Sequence, residues 1–137
     1  MDRRLGGAAR GQQVLRRFTV NWGAIALGAM AGLGSGLVLF LVLSVPGAVG
    51  PDQSAIPLIL LQFLSLVLAG FITGVFVSEG AVLHGGLAGL MLFLVVAAIS
   101  IAIASGPNIV ELALLGVVAA VLGSSGGALA ESRRRET

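Results

Sequence analysis

The sequence predicts an all-α polytopic membrane protein, an antiparallel bundle of four transmembrane helices with glycine-rich packing. The 137 residues are 57% hydrophobic and only 10% charged, and their mean hydropathy is +1.06. A soluble domain carries about 25% charged residues. Four apolar stretches are each long enough to cross a bilayer, which takes about 20 helical residues. Short segments rich in glycine, proline, serine and asparagine separate them, which is typical of turns.

The first two spans are bounded by residues that favour helix ends. The first covers residues 22–45 and follows Asn21, whose side chain can cap a helix. It ends before Pro46 and residues 50–54, a run typical of a turn. The second span covers residues 55–77. Membrane strands would need alternating polarity, whereas both stretches are apolar throughout.

The last two spans follow short connections. Residues 78–80 lead into the third span, residues 81–104. The fourth span, residues 109–130, follows Asn108, and Glu111 three residues later completes a pattern typical of a capping box. Connections this short require neighbouring helices to run antiparallel.

The basic residues predict the topology. All eight are arginines, five in residues 1–20 and three in residues 131–137, which flank the transmembrane domain of residues 21–130. Cytoplasmic flanks carry an excess of arginine and lysine, and four spans put both termini on one side. We therefore predict a multi-pass protein of the cell (inner) membrane with both termini cytoplasmic and the loops around Asp52 and Pro107 outside. The first helix is too long for a cleaved signal peptide.

The composition also argues against several classes of protein and of functional site. The chain has no cysteine and one histidine, which argues against a disulfide scaffold, a thiol enzyme and a metal centre. The arginines do not form a basic face interleaved with aromatic side chains, so nucleic acid is not an expected partner. The expected partner is the lipid bilayer, and no cofactor is expected.

Small residues recur four positions apart in every span. The helix-packing glycines among them are Gly28, Gly32 and Gly36, then Gly70 and Gly74, then Gly85 and Gly89, and finally Gly116, Gly123 and Gly127. Such GxxxG or glycine-zipper faces let helix backbones approach closely in lipid. All of them fall in the predicted cytoplasmic half, where we expect the tightest packing. Packing inside the bundle explains the ladders, but two adjacent ladders on the fourth span also favour an oligomer interface.

Ionisable residues inside spans usually mark pumps and ion paths, and here they are nearly absent. Glu79 and His84 lie near the second connection, where they could pair or shuttle a proton. A solvated Glu79 and a His84 at the lipid interface explain them more simply, as capping explains Glu111. We expect no catalytic, cofactor-binding or metal-binding residue, and therefore no enzyme.

Three segments resemble parts of small four-helix prokaryotic integral membrane proteins that form families of unknown function. They are residues 21–23 (NWG), 69–74 (AGFITG) and 83–89 (LHGGLAG). The resemblance extends over nearly the whole chain. It implies the same four-helix architecture and brings no activity, ligand or catalytic residue.

Two functions remain open. The first is a non-enzymatic membrane protein that self-associates as a homo-oligomer or acts as an accessory or structural subunit with a membrane-protein partner. The alternative is a small oligomeric channel or transporter, which needs polar side chains on an aqueous path; the candidates are Gln62, Ser65, Thr73 and Ser100. Small multidrug transporters also have four short helices, but they need a glutamate in helix one, which this chain lacks.

Overall fold

The computed structural model describes residues 20–43, 55–103 and 108–136. These residues form four α-helices: α1 (Trp22–Leu43), α2 (Ala55–Phe76), α3 (Ala81–Ile103) and α4 (Ile109–Arg135). No strand occurs within the described ranges, and the predicted all-α four-helix fold is confirmed. The predictions for the loops around Asp52 and Pro107, and for the arginines of residues 1–19, lie outside the described residues.

All four helices are long and apolar enough to cross a membrane. They contain 22 to 27 residues, or roughly 33 to 40 Å at 1.5 Å per residue, against a hydrocarbon core of about 30 Å. Large apolar side chains such as Met30, Leu94 and Val117 point outwards and are more than half exposed. A surface of this kind is stable in lipid, and the fold is that of a multi-pass membrane protein.

Two helices begin at the caps that the sequence predicts. The Asn21 side-chain oxygen accepts a hydrogen bond from the backbone N–H of Ala24 at 3.1 Å. The Asn108 side-chain oxygen accepts one from Val110 at 3.2 Å. Each side chain satisfies one of the backbone donors that a helix N-terminus leaves unpaired. All four helices begin at the residues where the sequence analysis begins its spans.

The fourth helix ends later than the span that the sequence predicts. It continues through Arg135, five residues beyond residue 130. Arg135 bonds Glu131 one turn earlier at 2.7 Å, a spacing that supports a helix. The arginines in the last turn also interact favourably with the negative end of the helix dipole. The arginine-rich segment is therefore helical as far as Arg135.

The central helices of the bundle are α2 and α3. Each packs against the other and against both outer helices, whereas no Cα atom of α1 lies within 8 Å of a Cα atom of α4 over their described lengths. The connection between α2 and α3 turns at Gly80, whose φ of +68° is a backbone conformation that favours glycine. The cross-section is therefore diamond-shaped, with α1 and α4 at opposite corners.

The helices are closely packed in one half of the bundle and splayed in the other. We call the half that holds the start of α1, the α2–α3 connection and the end of α4 the terminal half, and the other the open half. Ala69 and Ala119, which are 0% and 1% exposed, lie in the core. In the open half no residue of 33–42, 94–102 or 109–115 is buried. The close packing lies where the sequence places most of the glycine ladders.

Candidate functional site

The ladder of α1 lies against α2. A Cβ atom at Gly28 would lie 2.5 Å from the carbonyl oxygen of Ala69, and a Cβ atom at Gly32 would lie 2.8 Å from the Cβ of Ala69. At Gly36 the distance increases to 3.2 Å, measured to the hydroxyl oxygen of Ser65. The spacing between α1 and α2 therefore widens towards the open half.

Gly123 of α4 lies where α2, α3 and α4 meet. A Cβ atom at Gly70 of α2 would lie 2.7 Å from the Gly123 carbonyl carbon. From α3, a Cβ at Gly85 would lie 2.5 Å from the Gly123 carbonyl oxygen, and one at Gly89 would lie 3.0 Å from the Gly123 Cα. These neighbours are backbone atoms, which cannot move aside as a flexible side chain can.

Gly127 repeats this arrangement one turn later. A Cβ atom at Gly74 of α2 would lie 3.1 Å from the Gly127 Cα, and one at Gly85 of α3 would lie 3.0 Å from it. The ladder of Ala119, Gly123 and Gly127 therefore contacts both central helices of the same chain.

The second ladder of α4, formed by Gly116, Ala120 and Ser124, also packs inside the chain. A Cβ atom at Gly116 would lie 3.3 Å from the ring of Phe93, and Ser124 lies against Gly86, whose Cβ would be 2.5 Å from its hydroxyl oxygen. Two ladders on one helix favoured a partner when only the sequence was considered. Both ladders have partners within the chain, and these contacts explain the close packing of α4 without an oligomer.

His84 is buried, with 3% of its surface exposed, and the expectation that it lies at the lipid interface is wrong. Its Nδ1 lies 2.9 Å from the Gly80 carbonyl oxygen, and its Nε2 accepts a hydrogen bond from the backbone N–H of Asn21 at 3.1 Å. A carbonyl only accepts and a backbone N–H only donates, so the imidazole is neutral with its hydrogen on Nδ1. His84 thus joins the start of α1 to the α2–α3 connection.

The two acidic candidates, Glu79 and Glu111, are not hydrogen-bond partners of His84. Glu79 is exposed and lines a surface pocket of about 320 Å³ with Glu131 and Arg135. Glu111 is exposed at the start of α4, in the open half. Since both ring nitrogens of His84 bond backbone atoms, Glu79 and His84 do not form the pair that their spacing suggested.

Arg134 makes contacts that the sequence analysis missed. Its guanidinium donates hydrogen bonds of 2.6 to 3.2 Å to carbonyl oxygens at the end of α2 and just beyond, those of Gly74, Val75, Val77 and Ser78. A helix C-terminus leaves such carbonyls unpaired, and a cation there also suits the helix dipole. Arg133 lies 5.5 Å from the ring centre of Phe71. From the sequence, the arginines predicted the topology of the chain, but their contacts with α2 could not be inferred.

The hydroxyl groups within the helices bond backbone carbonyls. Those of Ser65, Thr73 and Ser100 each donate to the carbonyl one turn earlier, at 2.9 to 3.0 Å. The Thr73 hydroxyl also lies 3.3 Å from a second acceptor, the carbonyl oxygen of Ala24 on α1. Ser65 and Thr73 are buried, whereas Ser100 lies on the outer surface. Throughout the described ranges, every buried side-chain nitrogen and oxygen has a hydrogen-bond partner. The structure therefore does not bring these three side chains onto a shared path.

A groove between α1, α2 and α3 opens in the open half, with a volume of about 360 Å³. We call it the Gln62 groove, and its walls include Gly32, Gly36, Phe40, Gln62, Ser65 and Phe93. Gln62 and Ser65 are its polar side chains. Gln62 is exposed in the groove, and its amide forms no hydrogen bond with any residue that the structure describes.

A second groove of about 630 Å³ separates α3 from α4 in the same half. We call it the α3–α4 groove; Leu94, Ala98, Ala113 and Val117 are among its lining residues. All of the described side chains that line it are apolar. Phe93 lies between this groove and the Gln62 groove, because it lines both.

No protein-family model matches the chain, and no curated protein or solved structure matches it. The resemblance to four-helix membrane proteins of unknown function is consistent with this result, since it names no activity. Among the described residues, no three His, Cys, Asp or Glu side chains converge to hold a metal ion.

Proposed function

We propose that this chain is a non-enzymatic membrane protein that acts as a structural or accessory subunit. In this proposal a transmembrane helix, from a second copy or from another membrane protein, occupies the α3–α4 groove. The observation that carries the proposal is the groove itself, an apolar space of about 630 Å³ between two helices that pack closely at their other ends.

The terminal half needs no partner for its packing, because its close contacts are made within the chain. The open half differs. Leu94 and Val117 line the α3–α4 groove from opposite helices and are 58% and 63% exposed. Ala98 and Ala113 line it with small side chains, which let an incoming helix approach closely. In lipid, helices associate largely through van der Waals packing, and a helix seated here would supply the packing that the open half lacks.

The polar groups support a role without catalysis. Histidine and arginine side chains often take part in catalysis, but those of His84 and Arg134 donate hydrogen bonds to backbone carbonyls of the chain. Glu79 and Glu111 are exposed at opposite ends of the bundle. A catalytic site needs an acid, base or nucleophile near an oriented second group, whereas the side chains of His84 and Arg134 make structural contacts.

The proposal includes a topology. We place both termini on the cytoplasmic side of the plasma membrane, because all eight arginines lie in the terminal segments and cytoplasmic flanks carry excess arginine. The terminal half then faces the cytoplasm and both grooves open towards the outer leaflet. Reporter fusions at each terminus test this; a reporter active only outside the cell would contradict it.

Photocrosslinking in the native membrane tests the partner. A photoreactive amino acid replaces Leu94 in the groove and, as the control, the similarly exposed Leu27 of α1. We expect a protein adduct from position 94 and only lipid adducts from position 27. Native mass spectrometry after gentle extraction then shows whether the adduct joins two copies or two different proteins.

A groove-filling variant makes the test specific. Ala98→Phe puts a large side chain into the α3–α4 groove, so the adduct from position 94 should be lost while the monomer stays folded. Lipid adducts alone at both positions, together with a monomeric mass, would refute the proposal. So would a protein adduct that persists unchanged in the filled variant.

The oligomeric channel or transporter has less support. It requires polar side chains on a water-filled path, and the hydroxyls of Ser65 and Thr73 are buried and hydrogen-bonded to backbone carbonyls. Of the four candidates, Gln62 and Ser65 line a groove, and only the Gln62 side chain lacks a hydrogen bond within the described structure.

A further inference from the structure

The amide of Gln62 lies on an apolar stretch of α2 that is long enough to cross a membrane. Gln62 lies seven residues after the start of α2, about 10 Å along the helix axis at 1.5 Å per residue. It falls within the apolar stretch Ile59–Phe76, which has the hydropathy of a membrane span. An amide away from water without a hydrogen bond costs about 1 to 3 kcal/mol in proteins. An occupant that bonds this amide would remove that cost.

We propose that the Gln62 groove binds a neutral, lipid-like molecule with a hydrocarbon chain and one uncharged hydrogen-bonding group, a hydroxyl or carbonyl, held by Gln62. The volume of about 360 Å³ falls within the range of ligand pockets, roughly 300 to 1,000 Å³. This site is distinct from the α3–α4 groove and does not depend on the proposed subunit role.

The lining determines the chemistry of this molecule. Phe40, Phe93 and their neighbours give apolar walls that suit a hydrocarbon chain. None of the described residues that line the groove is charged, and an unpaired charge among such apolar walls would be costly, so the proposed ligand is neutral. Ser65 donates its hydroxyl hydrogen to the backbone of its own helix and can only accept from a ligand. The Gln62 amide both donates and accepts, and it therefore provides the main recognition.

Two glycines of α1, Gly32 and Gly36, line the groove. A Cβ atom at Gly32 would lie 2.7 Å from a methyl of Leu92, and a Cβ atom at Gly36 would lie 3.2 Å from the Ser65 oxygen. These glycines leave a wall on α1 without side chains. Ordinary acyl chains could enter the groove, but they would leave the Gln62 amide unbonded. A hydrogen bond to this amide therefore distinguishes a specifically bound ligand from an acyl chain that only fills the groove.

Photolabelling of the full-length protein in phosphatidylcholine nanodiscs tests the proposal. The probe is a long-chain fatty alcohol that carries a diazirine, and mass spectrometry locates the labelled peptides. We expect labels in residues 33–40 and 92–96, competed by unlabelled fatty alcohol far better than by an alkane of equal length. Gln62→Leu should weaken labelling about threefold to tenfold, the effect of one hydrogen bond within a membrane.

Two variants serve as controls. Ser100→Ala removes a polar group from the outer surface of the same half and should leave labelling unchanged. Val96→Phe fills the groove from α3 and should abolish labelling while the melting temperature is retained. The second variant tests the location of the site without changing Gln62.

Three results would overturn the proposal. One is equal competition by alkane and alcohol with no effect of Gln62→Leu, which would mean that the groove holds any hydrocarbon. Another is labelling confined to peptides outside the groove. The third uses Gln62→Cys in this cysteine-free chain: rapid modification by a water-soluble maleimide would show an aqueous path and favour the channel alternative.

Discussion

The backbone N–H of Asn21 donates a hydrogen bond to Nε2 of the buried His84 at 3.1 Å. Asn21 also caps α1 through its side chain, while the other ring nitrogen of His84 bonds Gly80 in the α2–α3 connection. One imidazole therefore links the start of α1, the start of α3 and the connection between the two central helices. This makes His84 a structural residue of the terminal half.

Replacement of His84 should destabilise the fold. His84→Leu keeps a side chain of apolar bulk but leaves the N–H of Asn21 and the carbonyl of Gly80 without these bonds, so we expect a loss of about 1 to 3 kcal/mol in the free energy of unfolding. Denaturation with sodium dodecyl sulfate in detergent micelles measures it. Glu79→Ala, in the exposed connection, should change stability by less than about 0.5 kcal/mol. Equal effects of the two substitutions would contradict the role given to His84.

Glycine-to-alanine substitutions test the close contact between α3 and α4. A Cβ at Gly123 would lie 3.0 Å from the Cα of Gly89, whereas a Cβ at Gly34 would meet no atom within 4 Å. Gly123→Ala forces the helix backbones apart and should cost about 1 to 3 kcal/mol. Gly34→Ala should be neutral or stabilising by up to about 1 kcal/mol, because alanine favours helix. Melting temperatures in detergent compare them, and a Gly123→Ala variant as stable as wild type would exclude the close contact.

Two neighbouring arginines should differ in their effects. Arg134 donates to carbonyls at the end of α2, whereas Arg135 pairs with Glu131 on the surface of its own helix. Arg134→Gln should therefore cost about 1 to 2 kcal/mol, and Arg135→Gln less than about 0.5 kcal/mol. Both variants lose one charge, so a general charge effect would lower both unfolding free energies equally. The same detergent titration distinguishes these results.

The sequence predicts the helices well because their signals are local. The caps at Asn21 and Asn108 and the turn at Gly80 depend on residues close together in the chain. The four spans could be predicted by counting consecutive apolar residues. The spacing of small residues also predicted where the helices pack closely, since helix backbones can approach only where side chains are small.

The site could not be predicted in the same way, because its contacts join residues far apart in the chain. The bond between Asn21 and His84 spans 63 positions, and Arg134 reaches Val77 over 57. Gly126 belongs to neither ladder of α4, yet a Cβ there would lie 2.7 Å from the backbone nitrogen of Phe71. No spacing rule marks it, because its contact depends on how α2 and α4 are placed.

Two alanines of α4 test whether the α3–α4 groove is empty space in the isolated chain. Ala113 is exposed in that groove, whereas Ala119 is 1% exposed and its carbonyl oxygen would lie 2.5 Å from a Cβ at Gly89. Ala113→Leu should leave the free energy of unfolding within about 0.5 kcal/mol of wild type, as surface substitutions usually do. Ala119→Leu should cost about 1 to 3 kcal/mol through overpacking.

The same pair also tests the subunit proposal in the native membrane. If a helix occupies the groove, Ala113→Leu should reduce the fraction of the protein in its complex, although the isolated chain stays as stable as wild type. Quantitative native mass spectrometry measures that fraction alongside detergent melting of the purified chain. A complex fraction unaffected by Ala113→Leu would place any partner on another face of the bundle, because a leucine there takes up space that the incoming helix needs.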